Sequence, residues 1–214
     1  MFTQRSGIYN LGLEGVMLMG AFTGFYTALV TGSPYLGLLA GMVVGGLMGV
    51  VMGIVSITLK AEQGISGIGL YLFGWGLSGL FYRLYVGGIT TIEGLKPVKI
   101  PLLGDIPYIG SALFDHGIVV YLAFLLVPVC WFVLFKTAWG LKVRAVGTTP
   151  QAADTLGVSV DGIRYQCLIL GSIMGGLAGA ALTIGNSHMF ADNIIAGRGF
   201  IAVALVYFGR WNPW

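Results

Sequence analysis

The chain has 214 residues, 57% of them hydrophobic and 9% charged, with a mean hydropathy of +0.90. Soluble domains carry about 25% charged residues, so 11 basic and 8 acidic side chains are too few to cover a water-exposed particle, and the apolar excess must face lipid. A disordered chain, a disulfide scaffold and an ordinary cytosolic enzyme are excluded, as is collagen, because the 36 glycines show no three-residue period; the net charge of +3, from scattered basic residues, assembles no stripe for nucleic acid.

A bilayer core takes roughly 20 apolar residues in a helix. Met1 to Arg5 leads directly into a long apolar stretch with no short h-region and no cleavage site, so it reads as membrane span and not as a signal peptide. That first span, Ile8 to Val30, carries Asn10 and Glu14 in its first turns. Tyr35 to Leu59 and Gly64 to Tyr82 follow, both uncharged. Gly87 to His116 holds Pro97, Pro101 and Pro107 among Glu93, Lys96, Lys99, Asp105 and Asp115, which predicts an irregular exposed loop. Gly117 to Phe135 is the fourth span. Lys136 to Arg164 is polar and basic, and Tyr165 to Ser187 is the fifth span. Phe200 to Phe208 stops short of a membrane thickness before Arg210.

The expected architecture is all-α, a polytopic transmembrane helical bundle of five to six spans in a single domain over residues 1–214. Lys136, Lys142, Arg144 and Arg164 make 136–164 cytoplasmic by the positive-inside bias. Alternation puts Arg5 and Lys60 on the same side and the 87–116 loop, with Lys96 and Lys99, outside.

Gly37, Gly41, Gly45, Gly49 and Gly53 recur at every fourth residue, a ridge about 24 Å long at ~1.5 Å per residue. Another helix is expected against it, because small residues let backbones approach in lipid. Gly171, Gly175 and Gly179 repeat the spacing, and Gly20 with Gly24 gives a shorter version.

Soluble-enzyme fingerprints carry little here. Gly74 to Gly79 matches GxGxxG but lies inside an uncharged span, and no P-loop occurs. Cys130 and Cys167 read as packing residues. His116 and His188 stand apart from each other and from the cysteines, which predicts no metal site. Ser187, His188 and Asp192 lie close together but lack a nucleophile elbow. Asn10 and Glu14 are four residues apart, which would place both on one helical face. A carboxylate in lipid costs at least ~2.5 kcal/mol. Glu14 should therefore line a watery path or be held by backbone amides at a positive helix end.

The cytoplasmic loop has a compact pattern. Thr148 or Thr149 suits an N-cap, Pro150 the first turn and Gly157 the end of a helix of about two turns. A helix that short needs a surface to hold it. Ala152 and Ala153 suit a snug protein socket.

Three stretches together resemble the membrane permease subunits of bacterial ABC importers, nearest to the simple-sugar and nucleoside group related to the ribose and branched-chain amino-acid permeases. They are Asn10-Leu-Gly-Leu-Glu-Gly-Val-Met-Leu-Met-Gly-Ala-Phe22, Arg144 to Val158, and Gly197 to Gly209 with Trp211-Asn-Pro213. The resemblance covers essentially the whole chain. It implies that Gly147, Thr148, Thr149, Pro150, Gln151, Ala152, Ala153 and Gly157 form a coupling helix docked on a separate ATP-binding subunit. ATP and magnesium would be held by that partner, and this chain would bind no cofactor and catalyse no reaction.

A homologous second permease, an extracytoplasmic substrate-binding protein and a bacterial inner membrane are implied with it. Asn10, Glu14, Asn186 and His188 are the candidates for the substrate pathway. Family members usually carry a further hydrophobic segment before this region and more spans after it, so both ends are expected to be missing here. The competing expectation is a self-sufficient secondary carrier or channel, which would need its own coupling-ion site.

Overall fold

In a membrane the backbone must satisfy its own hydrogen bonds, and a helix does so within one segment. The computed structural model describes residues 1–88, 90–95, 98–99 and 115–212. A short helix α1 (Phe2–Arg5) precedes α2 (Leu13–Thr31), α3 (Pro34–Gly53, continued by a π-turn over Ile54–Thr58) and α4 (Gln63–Tyr85). A two-residue antiparallel ladder joins β1 (Val98–Lys99) to β2 (Asp115–His116), with Val98 opposite His116. Then come α5 (Ile118–Lys136), α6 (Ala138–Thr148), α7 (Pro150–Thr155), α8 (Val160–Leu182, continued by a π-turn over Thr183–Ser187) and α9 (Arg198–Phe208). Helices α2, α3, α4, α5 and α8 are long and apolar enough to cross a membrane, and the chain is an all-α polytopic bundle.

The first span starts later than its hydropathy suggests. Gly7, at φ +83°, closes α1 with paired bonds from Gly7 N–H to the Gln4 carbonyl and from Ile8 N–H to the Thr3 carbonyl, the Schellman arrangement that glycine favours. The chain then runs non-helically to Gly12, and α2 begins at Leu13. Asn10 therefore precedes the helix and shares no helical face with Glu14, contrary to the expectation from their spacing. The polar stretch 136–164 is also largely helical. Ser159 caps α8 by accepting from Gly162 N–H at 3.3 Å, which brings Arg164 into the helix.

Helix α2 is the centre, packed on α3, α4, α8 and α9. The glycine ridge of α3 turns inward, with Gly37, Gly41, Gly45, Gly49 and Gly53 all buried. Its opposite face presents Leu39, Val43, Leu47 and Val51 outward, as lipid requires. Backbones meet where α2, α3 and α8 cross. A Cβ on Gly41 would lie 3.1 Å from the Gly176 carbonyl and 3.2 Å from that of Gly20, and one on Gly20 would lie 2.6 Å from Gly176 Cα. The α3 ridge thus meets Ser172, Gly176 and Ala180 of α8, with Gly176 its glycine partner. Gly171, Gly175 and Gly179 face the other way, against Thr3, Leu13 and the Met17 backbone. Gly74 of the nucleotide-like pattern is likewise a packing glycine, pressed against Gly15.

Of the 87–116 loop, the described part is more ordered than an irregular exposed loop. Ile92 N–H donates to the His188 carbonyl at 2.9 Å, Thr91 bridges Met189, and Leu95 is buried. Pro97, Pro101, Pro107, Lys96 and Asp105 lie outside the described residues.

Two outcomes follow from this packing. Gly176→Ala puts a methyl group into the α3 backbone at Gly41 and Gly45 and is expected to lower the thermal midpoint in detergent by the equivalent of roughly 1–3 kcal/mol; Gly69→Ala, where the added methyl meets open space, is expected to be neutral or stabilising by up to ~1 kcal/mol. At the start of α4, Glu62 accepts from Gly64 N–H at 2.9 Å and Ile65 N–H at 2.6 Å, and these bonds hold its carboxyl below the ordinary glutamate range. A depressed folded value means the capping contribution is present above the unfolded pKa of about 4.3 and is lost as pH falls through the lower folded value. Amide-exchange protection at Gly64 and Ile65, corrected for intrinsic rates, is expected to be constant from neutral pH to about 5 and to drop only below about 4.

Candidate functional site

Helix α9 is too short to span, and its start is bound into the bundle by a side chain far away in sequence. Ala196 and Gly197 lie at φ +50° and +84°, which turns the chain so that the first amides of α9 point at α2. There Glu14, 1% exposed, accepts from Gly197 N–H at 2.7 Å through Oε1 and from Gly199 N–H at 2.6 Å through Oε2. Gly199 must be glycine for this approach, since a Cβ would sit 2.7 Å from Oε2 and 2.8 Å from Glu14 Cα. The carboxylate satisfies two otherwise orphaned donors and meets the positive end of a helix dipole. The amide reading of Glu14 therefore describes this conformation, except that the helix is α9 and not its own.

Two cavities lie on either side of Met17 and Ala178, which line both. One, about 350 Å³, sits between α1, α2, α5, α8 and α9. Its wall is mainly apolar, and its polar side chains include Thr3, Gln4 and Asn10; Gln4 and Asn10, 8% and 5% exposed, have Oε1 and Oδ1 atoms without a hydrogen-bond partner among the described residues. The other, about 570 Å³, lies between the first turn of α5, the end of α8 and the start of α9, with Asn186 and Arg198 as its polar groups. Both volumes suit a small ligand, and sparse polar groups in an apolar wall give orientation.

The four pathway candidates thus separate. Asn10 lines the first cavity and Asn186 the second, Glu14 binds α9, and His188 lines neither. His188 lies at φ +52° with Nδ1 3.1 Å from the Ile184 carbonyl, fitted against Gly94. Asp192 pairs with Arg83 at 3.5 Å, so His188 and Asp192 each take a different partner. Gln4, Met17, Arg198 and Gly199 were not singled out from the sequence. Arg198 and Gly199 fall within the third motif, while Gln4 and Met17 gain their place only through packing.

At the other end, α6 folds back along the last turn of α5, where a Cβ on Gly140 would strike the Val133 and Leu134 carbonyls. Helix α7 follows with Pro150 at its first position and Thr149 as N-cap residue. Thr149 makes no side-chain cap bond, and the Thr148 hydroxyl instead donates to the Arg144 carbonyl. The other end closes as a Schellman turn, with Val158 N–H donating to Ala153 O and Gly157 N–H, at φ +77°, to Asp154 O. Ala153 faces inward, 3% exposed, in a cluster with Val143, Val146 and Ile163, so it offers no outward contact. Gln151, Ala152, Asp154, Thr155 and Leu156 form the exposed ledge, Leu156 at 83%.

The family of branched-chain amino acid transport system permease components matches residues 1–214, and the chain belongs to it. Similar proteins include a putative glucose ABC transporter permease of Haloferax volcanii, 40% identical over all of this chain and 65% of that protein. A guanosine ABC transporter permease of Bacillus subtilis is 38% identical over all of this chain and 70% of its own length. A nucleoside ABC transporter permease of Lactococcus lactis is 36% identical with the same shares. The chain therefore spans about two thirds of the length of these relatives. No solved structure matches it.

Glu14→Ala leaves two buried amides unpaired and is expected to destabilise the bundle by roughly 2–4 kcal/mol, with faster amide exchange at Gly197 and Gly199. Glu14→Gln keeps one acceptor oxygen, and about half that loss is expected in thermal unfolding.

Proposed function

We propose that this chain forms part of the translocation pathway of an ATP-driven importer for nucleosides or simple sugars, in the multi-pass membrane subunit of the complex. The observation that carries the reading is the α7 ledge. Six helical residues are too few to be stable alone, yet α7 is fixed to the core through Ala153 and Val158 while Gln151, Asp154 and Leu156 point outward. A small rigid helix presented in this way suits a mechanical contact with a moving partner.

In this reading a separate ATP-binding subunit holds ATP and magnesium and grips the ledge, and this chain performs no catalysis. Closure of that partner pushes α6 and α7, and through them α5 and α8, on which they are built. The two cavities flanking Met17 and Ala178 supply a route along α8, with Asn10 at one station and Asn186 and Arg198 at the other. Amides and a guanidinium offer the hydrogen bonds that hydroxyls and nucleobases accept and donate. A second, homologous permease, an extracytoplasmic binding protein and a bacterial inner membrane complete the proposal, with residues 136–164 on the cytoplasmic side.

The test is a pair of cysteine substitutions in the full complex. Leu156→Cys is expected to crosslink to the ATP-binding subunit, and Ala153→Cys, which is buried, to crosslink far less. Flux in reconstituted vesicles is expected to require ATP and that subunit. Substrate flux without it, or crosslinking that ignores the difference in exposure, defeats the reading in favour of a self-sufficient carrier.

A further inference from the structure

The end of the bundle that carries α6 and α7 also gathers three half-buried arginines from three elements: Arg5 ending α1, Arg144 on α6 and Arg164 near the start of α8. Arg5 and Arg144 both lie over the Phe135 ring, 5.8 and 5.2 Å from its centroid, and Arg5 also lies 5.8 Å from that of Trp211. Arg164 reaches the same place. A Cβ on Gly7 would be 3.8 Å from Arg164 Nη2 and 3.6 Å from Gly147 Cα, and Gly147 abuts the Arg5 carbonyl.

Among the described residues no carboxylate lies within ion-pair distance of this cluster. The one ion pair among the described residues is Arg83 with Asp192, and Asp154 and Asp161 line the cleft between α7 and the start of α8. The Nε atoms of Arg5 and Arg164 are buried without a hydrogen-bond partner among the described residues. Burial and then the Arg144 charge lower the Arg5 guanidinium from its ordinary value. Converging cations with unsatisfied donors are costly unless an anion joins them. A phosphate, with several acceptor oxygens, matches guanidinium forks well.

The depth of the patch indicates the source of that phosphate. Arg5 and Arg144 lie over Phe135 in the last turn of α5, beside Lys136, and Arg164 lies near the first turn of α8, so the cluster is level with the ends of two spanning helices. Trp131, Trp139 and Trp211 stand around it, with Lys136 5.7 Å from the Trp131 ring and Trp139 in contact with Phe2. Aromatic side chains at this level mark the headgroup layer, and basic pockets between spanning helices hold anionic headgroups.

We propose that Arg5, Arg144 and Arg164 form a binding site for the phosphate of an anionic phospholipid. Occupancy would tie α1, α6 and α8 together beside the α7 ledge.

The test measures thermal unfolding of the purified chain in neutral detergent with phosphatidylglycerol, phosphatidylcholine or inorganic phosphate added. Phosphatidylglycerol is expected to raise the midpoint saturably, whereas the other two leave it unmoved. Arg144→Gln is expected to weaken the apparent affinity for phosphatidylglycerol about fivefold, in line with one arginine at an anionic surface, and Arg144→Lys to retain most of it. The wild-type comparison needs no variant to fold. Equal stabilisation by phosphatidylcholine, or unchanged affinity in Arg144→Gln, overturns the proposal. Stabilisation by inorganic phosphate makes this a soluble-anion site and overturns the lipid assignment. No response to any of the three also overturns it, and leaves the cluster to a partner protein's carboxylates.

Discussion

Everything in this bundle depends on how closely three backbones approach one another at Gly20, Gly41 and Gly176. Lipid tails are as apolar as leucine, so helices in a membrane gain little by burying apolar side chains against one another, and close backbone contact must do the work instead. The glycine rows of α2, α3 and α8 permit that contact over most of the depth of the membrane. The large side chains removed from the interface appear on the outer faces, where Leu39, Val43 and Leu47 meet lipid. One amphipathic division by size, not by polarity, thus sets both the core and the lipid surface.

Glu14 extends this frame to a helix that packing alone holds less well. Helix α9 has 11 residues and is too short to anchor itself across a bilayer. A buried carboxylate on α2 captures its first amides at 2.6 and 2.7 Å, which offsets two costs together: the charge in lipid and the unpaired donors of a helix start. The same bonds fix the position of Arg198, which lines the larger cavity. The Glu14 carboxylate on α2 thereby helps to decide which side chain of α9 reaches that cavity.

The opposite end uses different means. Helix α5 buries only Leu134, and its last turn is tied to the bundle by α6 folding back on it. Closure of α7 through Gly157 and the burial of Ala153 in one cluster with Ile163 and Cys167 join the exposed ledge to the start of α8. The three arginines beneath the ledge add a cationic surface at the level of the headgroups. The ledge, the start of α8 and the arginine cluster are therefore concentrated within one small region.

The sequence by itself determined that the chain is a helical membrane bundle, where its five long spans fall to within a few residues, that α3 must present a glycine face to another helix, and that a short helix begins at Pro150 and ends by Gly157. Those features are local: hydropathy over a membrane thickness, a four-residue period, and turn chemistry at proline and glycine. Only the tertiary structure decided that Gly176 meets the α3 ridge while Gly171, Gly175 and Gly179 face α1 and α2, because side-by-side glycines on one helix look alike until their neighbours are known. It also decided that Asn10 precedes α2, since the left-handed turn at Gly7 interrupts an otherwise helical hydropathy pattern. The bonds from Gly197 and Gly199 to Glu14, and the approach of Arg5 to Arg144 and Arg164, join residues more than a hundred positions apart, and no periodicity along a chain encodes which distant segments will touch.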